Sequence, residues 1–298
     1  GYSPAFACAL MAAGGAIGVV IPPSITFVVY GSIADASITD LFKAGIIPGL
    51  AMGVALMIVC YIMAKKYGFK GETKKFSFKA VVKSFVDAIW ALLSPVIILG
   101  GIYSGTFTAT EAAVIAVFYS VLVSMFIYKE MSWKELAGVF LESGIASAAI
   151  LLIISIAAVF GVILSKQHVP QMLAHAFTAI APNKYIFLLL VNILLLIIGM
   201  FMENSSSIII MTPLLAPIAA SYGVNLTHFG CIVVCNLAIG MVTPPFGLCL
   251  FTGNDLAQAK LGDTIRSLIP YLAVSMIALA LVTYIPDISM GLVKLIAS

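Results

Sequence analysis

The chain has 298 residues, of which 62% are hydrophobic and 9% are charged, and its formal net charge is +3. Because roughly a quarter of the residues in soluble domains are charged, this composition excludes an ordinary soluble domain. Apolar runs close to the ~20 residues that a spanning helix needs recur along the chain. The sequence therefore predicts an all-α polytopic membrane protein, since the short alternating segments of a β-barrel do not occur in it.

A first helix is predicted from about Pro4 to Ile21, and the adjacent prolines Pro22 and Pro23 end it. Ser24 to Gly31 continues as a short apolar segment. A polar turn, "SIADASITD", follows and carries two acids and no base. The pattern predicts a helix that is broken inside the membrane.

The next predicted span runs from Leu41 to Ala64 and is followed by a basic loop. A dense basic loop beside a span marks the cytoplasmic side, and we favour this reading over specific lipid or nucleic-acid binding. The segment "KFSFKAVVKSFVDAI" has charged and apolar residues on different helical faces, which predicts a helix lying in the membrane surface. The loop contains seven basic residues, namely Lys65, Lys66, Lys70, Lys74, Lys75, Lys79 and Lys83.

Three further spans are predicted at Ala88–Tyr103, Glu111–Tyr128 and about Ile145–Leu164. Thr108 and Glu111 match the capping box S/T-x-x-E, and we favour this structural role over that of a catalytic glutamate. The amphipathic stretch "SWKELAGVFLESG" leads into the third span. The segment "HVPQMLAHAFTAIAP" after it is predicted to lie at the membrane interface.

A polar break divides the next apolar pair. The runs Tyr185–Met202 and Ile208–Ala220 are separated by "ENSSS", and they form either two crossings or one re-entrant hairpin. Glu203 is the only charge in this apolar region, where an acid is costly and usually functional. The alternatives for Glu203 are a proton carrier, a cation ligand or a cap for the following helix, and we favour the cap.

The double proline recurs near the end of the chain. The run Phe229–Val242 leads to "AIGMVTPPF", and a last span covers about Ile265–Ile285. An offset of 222 residues aligns this motif with "AIGVVIPPS" without a gap, which predicts an internal repeat. The aligned identities are Ala16, Ile17, Gly18, Val20, Pro22, Pro23, Gly31, Ile47, Pro48 and Leu50 with Ala238, Ile239, Gly240, Val242, Pro244, Pro245, Gly253, Ile269, Pro270 and Leu272.

The two copies are predicted to be inverted in the membrane. An odd number of crossings separates the loops Ser32–Asp40 and Asn254–Asp263, and a re-entrant hairpin between them does not change this. The first loop is acidic, whereas Lys260 and the nearby Arg266 mark the second as cytoplasmic. Inverted repeats are found in many secondary transporters. The same offset places the partner of "ENSSS" upstream of Gly1, so the chain is expected to be a fragment without its first hairpin.

Broken helices in a membrane predict a binding site. Pro23 and Pro245 cannot donate an amide hydrogen bond, and bare carbonyls are costly in lipid. The simpler alternative is a proline kink that only shapes packing. Unwound carbonyls with Ser, Thr or Asn oxygens suit Na⁺, and half-helix N-termini suit a carboxylate. The predicted cation ligands are Gly18, Pro22, Pro23, Ser24, Asn204, Gly240, Thr243, Pro244 and Pro245, and the predicted substrate contacts are Ser205, Ser206 and Ser207.

The remaining reactive residues have structural interpretations. No P-loop, HExxH or GxSxG pattern occurs in the sequence, so it indicates neither ATP hydrolysis nor a familiar hydrolase. We predict no enzyme activity and no cofactor other than Na⁺ as coupling ion. The cysteines are interpreted as small core residues and the histidines as interface residues: Cys8, Cys60, Cys231, Cys235 and Cys249, and His168, His175 and His228.

Several motifs resemble the large membrane (M) subunit of TRAP transporters, the tripartite ATP-independent periplasmic family. They are "GVVIPPSI" followed by "AGIIPGL", "GGIYSGTFTATEAA", "GMFMENSSSIIIMTPLLAPIA" and "NLAIGMVTPPFGLCLF", and they extend over nearly the whole chain. One position departs from the family pattern T-P-T-E-A-A, because Ala109 replaces its proline. This is the first position of the capped helix, where proline is favoured but not required.

The resemblance implies an elevator-type secondary transporter of the bacterial inner membrane. It implies a mobile domain of two hairpins and two broken helices, a small membrane (Q) subunit that is either separate or fused upstream, and a periplasmic substrate-binding protein. The substrate would be an organic anion such as sialic acid or a C4-dicarboxylate, and a Na⁺ gradient would drive its uptake. The first hairpin, with half of the ion and substrate site, would precede Gly1.

The chain is then expected to divide into four parts. Residues 1–40 hold the first broken helix, and residues 41–183 hold scaffold spans with the basic loop at 65–87. Residues 184–262 hold the second hairpin and broken helix, and residues 263–298 form a final scaffold span. The alternatives within transport are a proton-coupled carrier that uses Glu203 and a passive channel. An intramembrane enzyme is a remote third, because the sequence lacks a paired nucleophile and base or a metal cluster.

Overall fold

The structure is a computed structural model that describes residues 2–69 and 77–297. Every regular element in these two ranges is helical. The helices are α1 (Pro4–Val20), α2 (Ile25–Ala34), α3 (Ile38–Lys66), α4 (Phe78–Tyr103), α5 (Ala109–Leu122), α6 (Trp133–Lys166), α7 (Val169–Ile180), α8 (Lys184–Phe201), α9 (Asn204–Ser221), α10 (Leu226–Gly240), α11 (Leu248–Ala257), α12 (Leu261–Tyr284) and α13 (Pro286–Ala297), and a π-helical turn at Val123–Ile127 continues α5.

Seven helices of the described ranges are long and apolar enough to cross a membrane, namely α3, α4, α5 with its π-helical turn, α6, α8, α9 and α12. Together, α1 and α2 meet the same test as one span that is bent by 42°. The shorter α10 is also apolar. These helices confirm the prediction of an all-helical protein with many membrane spans.

Local sequence accounts for where many helices begin. Thr108 and Glu111 form the predicted capping box, in which the Glu111 amide donates to Thr108 Oγ1 at 3.3 Å and the Thr108 amide donates to Glu111 Oε2 at 2.8 Å. Other helices begin at a side-chain oxygen that accepts a first-turn amide. These caps are Ser3, Ser37, Ser77, Asn183, Glu203 and Asn225.

Two amphipathic segments, the first of which was predicted to lie in the membrane surface, are parts of longer helices in the structure. The part of "KFSFKAVVKSFVDAI" that is described begins α4, and "WKELAGVFLESG" begins α6. Neither segment contains a proline, and isolated glycines cost only about 1 kcal/mol in a helix, so nothing in either stops helical hydrogen bonding. Lys70, Lys74 and Lys75 of the basic loop lie outside the described residues.

The break at "ENSSS" is shorter than predicted. Only Met202 and Glu203 separate α8 from α9, because Asn204 to Ser207 form the first turn of α9. Pro213 and Pro217 lie within α9 without ending it. Beyond the last predicted span, α13 is an additional helix.

The chain forms two compact units. Residues 71–155 form one unit, in which α4 packs against α5. Residues 1–70 and 156–298 form the other, which contains both broken helices.

The second broken helix lies at the centre of the larger unit. Every residue from His228 to Gly240 is buried. The contacts of the two broken helices correspond to each other: α1 packs against α3, α11 and α12, while α10 packs against α12, α2 and α3. The first halves of the broken helices, α1 and α10, also pack against each other.

Helices α8 and α9 form an antiparallel hairpin whose turn is Met202–Glu203. The rings of Phe187, near the start of α8, and Tyr222, just after α9, stack with centroids 4.6 Å apart. The Tyr222 hydroxyl donates to the Ala181 carbonyl at 2.9 Å. The open ends of the hairpin are therefore held together, and its turn lies at the opposite end.

Candidate functional site

The first break joins α1 to α2 through Pro22 and Pro23, and the peptide bond between the prolines is cis. Val19 lies four residues before Pro23, so its carbonyl lacks the usual amide donor. The hydroxyls of Ser24 and Thr26 approach this carbonyl instead, at 2.6 and 3.2 Å. Both side chains are buried. The predicted ligand Ser24 thus satisfies a hydrogen bond of the break itself.

The second break joins α10 to α11 through Pro244–Pro245, again with a cis peptide bond. Here backbone amides replace the missing donors. The Thr243 amide donates to the Gly240 carbonyl at 2.9 Å, and the Cys249 amide donates to the Met241 carbonyl at 3.0 Å. The chain therefore turns between the two half-helices without leaving these two carbonyls bare.

The second half of each broken helix begins without a side-chain cap. Ser24 before α2 and Gly247 before α11 make no capping hydrogen bond to the first turn. The first amides of a helix carry partial positive charge and favour an anion when nothing else caps them. Both breaks therefore offer amide donors as well as oxygens.

Glu203 caps the helix that follows the hairpin turn, as predicted. Its carboxylate accepts a hydrogen bond from the Ser206 amide at 3.0 Å and from the Ser205 hydroxyl at 3.0 Å. The Ser207 hydroxyl donates to the Glu203 carbonyl at 2.9 Å. Ser205 and Ser206 are half-buried and face the turn, whereas Ser207 is fully buried.

Asn204 is the clearest sign of a binding site at the hairpin turn. Its side chain is 2% exposed, and neither Oδ1 nor Nδ2 has a hydrogen-bond partner within the described residues. Leaving a buried polar group unpaired costs about 1–3 kcal/mol. Native proteins accept that cost mainly where water, an ion or a ligand completes the group.

The hairpin turn and the second break lie together. Helices α8 and α10 run side by side, and an ideal Cβ on Gly199 would lie 3.1 Å from Gly240 Cα. The rings of Phe201 and Phe246 have centroids 5.4 Å apart. A cavity of about 380 Å³ opens here, and its lining residues are Gly199, Met200, Phe201, Met202, Glu203, Phe246 and Leu248.

The first break packs closely against α3. An ideal Cβ on Gly45 would lie 2.8 Å from the Val20 carbonyl, and one on Gly49 would lie 2.5 Å from Ile21 Cγ1. Small residues spaced by four are typical of close helix contacts in membranes. The four-residue spacing of Gly45 and Gly49 is the sequence signal that could have identified both glycines as part of the site.

The structure thus brings the hairpin turn, which Asn204 follows directly, to Phe246 and Leu248 just after the second break. Gly18 and Pro22–Ser24 belong to the other break, on the helix that packs against α10. Sequence reasoning missed Asn192 and Asn236, which link α8 to α10: Asn236 Nδ2 donates to Asn192 Oδ1 at 2.8 Å.

Comparison with known families agrees with this architecture. The sequence model described as "Tripartite ATP-independent periplasmic transporter, DctM component" matches residues 1–288. The chain belongs to this family of TRAP transporters. The resemblance seen in the sequence is therefore confirmed.

Curated relatives cover nearly all of this DctM chain. An isethionate TRAP permease, DctMQ of Oleidesulfovibrio alaskensis, is 44% identical over 97% of the chain. A C4-dicarboxylate large permease of Pseudomonas aeruginosa is 42% identical over 98%, and the sialic acid large permease SiaM of Vibrio cholerae is 37% identical over 99%. The chain spans 46% of the length of the first relative and 68% and 69% of the other two.

Proposed function

We propose that this DctM chain imports an organic anion across the bacterial inner membrane by coupling it to Na⁺. A periplasmic substrate-binding protein delivers the anion, and a small Q subunit accompanies the permease. The observation that carries the proposal is the unpaired, buried Asn204 amide beside the second proline break. An amide can serve both ions at once, because Oδ1 binds a cation while Nδ2 donates to a carboxylate or sulfonate.

The cation site is built from neutral oxygens. Asn204 supplies its amide oxygen, and the second break supplies Gly240, Thr243, Pro244 and Pro245. Hard cations prefer oxygen ligands, and a site of neutral oxygens suits a monovalent ion. In the other repeat, the corresponding residues are Gly18, Pro22, Pro23 and Ser24.

The substrate site adjoins this cation site. Ser205 and Ser206 are half-buried at the hairpin turn, and the uncapped starts of α2 and α11 favour negative charge. Ser207 is buried and bonded to Glu203, so we assign it to holding the turn. Isethionate, C4-dicarboxylates and sialic acid, which the relatives' names give, are all organic anions.

Two observations support an inverted repeat. The contacts of α1 and α10 correspond pair by pair under the alignment. In addition, an ideal Cβ on Gly14, Gly15 or Gly18 meets open space. The equivalents of these glycines are Asn236, Leu237 and Gly240, which contact α8. We therefore propose that a further helix of the transporter packs on this face of α1, as α8 packs on α10.

We also propose an elevator motion in which the unit with both broken helices moves as a body. Helices α3 and α12 pack directly on α1 and α10 in that unit. This packing favours placing them in the mobile domain rather than in the scaffold to which the sequence analysis assigned them. The unit of residues 71–155 then belongs to the scaffold.

The engagement of Glu203 as a helix cap favours Na⁺ over proton coupling. The test is uptake into proteoliposomes that contain the full transporter with both membrane subunits. With a loaded binding protein outside, an inward Na⁺ gradient drives accumulation, and an inward proton gradient without Na⁺ does not. Uptake driven by the proton gradient alone would overturn Na⁺ coupling in favour of the Glu203 carrier. Flux without a binding protein would favour the channel.

A further inference from the structure

A second cavity lies at the Leu226 end of α10, opposite the proline break. Its volume is about 190 Å³. Three helices begin at its rim, namely α8, α10 and α13, and α12 ends there. The lining residues are Lys184, Tyr185, Leu188, Gly223, Val224, Asn225, His228, Thr283, Tyr284, Pro286 and Met290. Under the predicted topology, this end of α10 faces the periplasm.

His228 is the buried polar group of this cavity. Its side chain is 4% exposed, and Nδ1 lies 2.7 Å from Ser289 Oγ. The Ser289 hydroxyl donates its only proton to the Pro286 carbonyl at 3.0 Å. With the Ser289 proton assigned to the Pro286 carbonyl, Nδ1 donates to Ser289, and Nε2 of the neutral ring is an acceptor. Nε2 has no hydrogen-bond partner within the described residues.

The other groups at the rim favour negative charge. The Lys184 ammonium lies over the Tyr185 ring, 5.2 Å from its centroid, and forms no ion pair within the described residues. Asn225 Oδ1 accepts the Thr227 and His228 amides at 2.8 and 3.2 Å, so its Nδ2 remains available to donate. The helix starts add partial positive charge. Of the groups named here, the neutral His228 Nε2 is the one that offers an anion no donor.

Protonation of His228 supplies the donor that is missing at Nε2. An imidazolium donates from both nitrogens, so it keeps the bond to Ser289 and gains a donor at Nε2. Binding of an anion next to Nε2 therefore favours the uptake of one proton by His228, and protonation of His228 favours binding of the anion.

The size of the cavity limits its ligand. A volume of about 190 Å³ corresponds to roughly six water molecules at ~30 Å³ each. It lies below the ~300 Å³ at which pockets for larger ligands begin. We propose that this cavity binds a small carboxylate, held by Lys184 and by a His228 that takes up one proton on binding. This site is separate from the transport site at the proline breaks.

The other charged groups on the elements around α10 do not replace His228 as the group that takes up a proton when the anion binds. Asp40 and Lys43 of α3 pair with each other at 3.6 Å, and Asp287 and Lys294 of α13 pair at 2.7 Å. Asp35, at the end of α2, carries a negative charge that would repel an anion. Lys184 is then the cation at the rim without an ion pair in the described residues, and His228 is the group proposed to take up the proton.

The test measures acetate binding to the purified full transporter by calorimetry, with chloride as the balancing anion. We expect the apparent Kd of the wild type to rise by up to about tenfold for each pH unit between about pH 6 and pH 8, since one proton accompanies each acetate. His228→Asn keeps an amide within reach of Ser289 but removes Nε2, so acetate binding is lost. His228→Gln places an amide N–H near the Nε2 position, so binding persists without pH dependence.

Two further variants locate the site. Lys184→Met weakens acetate binding at both pH values, and its exposed position keeps the fold intact if the His228 variants do not fold. Asn204→Ala, at the transport site, leaves acetate binding unchanged. The proposal is overturned if wild-type affinity does not vary with pH, if His228→Asn binds acetate normally, or if Asn204→Ala and not Lys184→Met loses binding. None of these results depends on Na⁺ coupling.

Discussion

Gly199 on α8 and Gly240 on α10 touch backbone to backbone, and an ideal Cβ on Gly240 would lie 2.7 Å from Gly199 Cα. Both glycines are next to functional elements, since α8 ends at the hairpin turn and α10 ends at the second proline break. This contact holds the ends of the two helices together, beside the cavity that Glu203 and Phe246 line.

Replacing Gly240 with alanine should therefore separate the two helices. Because the atoms in the way belong to the Gly199 backbone, neither side can yield by rotating a side chain, and we expect a loss of about 1–3 kcal/mol in stability, as for other overpacked sites. Thermal unfolding of the purified transporter measures the loss. Gly291→Ala is the matched control, because an ideal Cβ there meets open space. Equal melting temperatures for the two variants would contradict the close contact.

Asn204→Ala should remove the ion response without harming the fold. The variant deletes an amide that makes no hydrogen bond within the described residues, so its stability in Na⁺-free buffer should equal or exceed that of the wild type. Addition of Na⁺ should raise the melting temperature of the wild type only.

Asn225→Ala provides the control for this experiment. It loses the cap of α10, which costs about 1 kcal/mol, but it should respond to Na⁺ as the wild type does. If Asn204→Ala is strongly destabilised and still responds to Na⁺, its amide has a structural role instead.

Thr243→Val should weaken Na⁺-dependent uptake in proteoliposomes. The hydroxyl donates to the Ile239 carbonyl at 2.7 Å, and its oxygen remains available to a cation. Valine keeps the shape but removes that oxygen, so a higher Na⁺ concentration should be needed for half-maximal uptake. Thr252→Val is a matched control, since Thr252 makes the same bond to Leu248 at 2.9 Å but is exposed on α11. An unchanged Na⁺ dependence would remove Thr243 from the ion site.

Glu203→Gln distinguishes a helix cap from a proton carrier. The glutamine oxygen can still accept the Ser206 amide, so a capping role predicts a small loss of thermal stability and continued Na⁺-driven uptake. A proton carrier requires an ionisable group, and uptake would then be abolished. The measurement is the initial rate of uptake, with the melting temperature recorded alongside it.

The sequence predicted the features that follow local rules. Proline chemistry located both helix breaks, and the spacing of Thr108 and Glu111 identified a capping box. Glu203 was favoured as a cap because an acid before a serine-rich turn can accept the first amides of a helix. Each of these rests on residues only a few positions apart.

Features that join distant helices could not be predicted in the same way. The contact of Gly199 with Gly240 and the bond between Asn192 and Asn236 depend on how α8 lies beside α10. The unpaired state of Asn204 also depends on what surrounds it in three dimensions. The amphipathic pattern at the start of α4 did not predict that this segment continues into the span as one helix, because a change of helical face does not interrupt a helix. The segment "SWKELAGVFLESG" leads into a span, as predicted.

The most direct test of the account is equilibrium binding of radioactive Na⁺ to the purified full transporter. The account predicts saturable binding by the wild type and by Thr252→Val, and a marked loss of affinity in Asn204→Ala and in Thr243→Val. Wild-type affinity in both of these last variants would contradict a Na⁺ site at the hairpin turn and the second proline break.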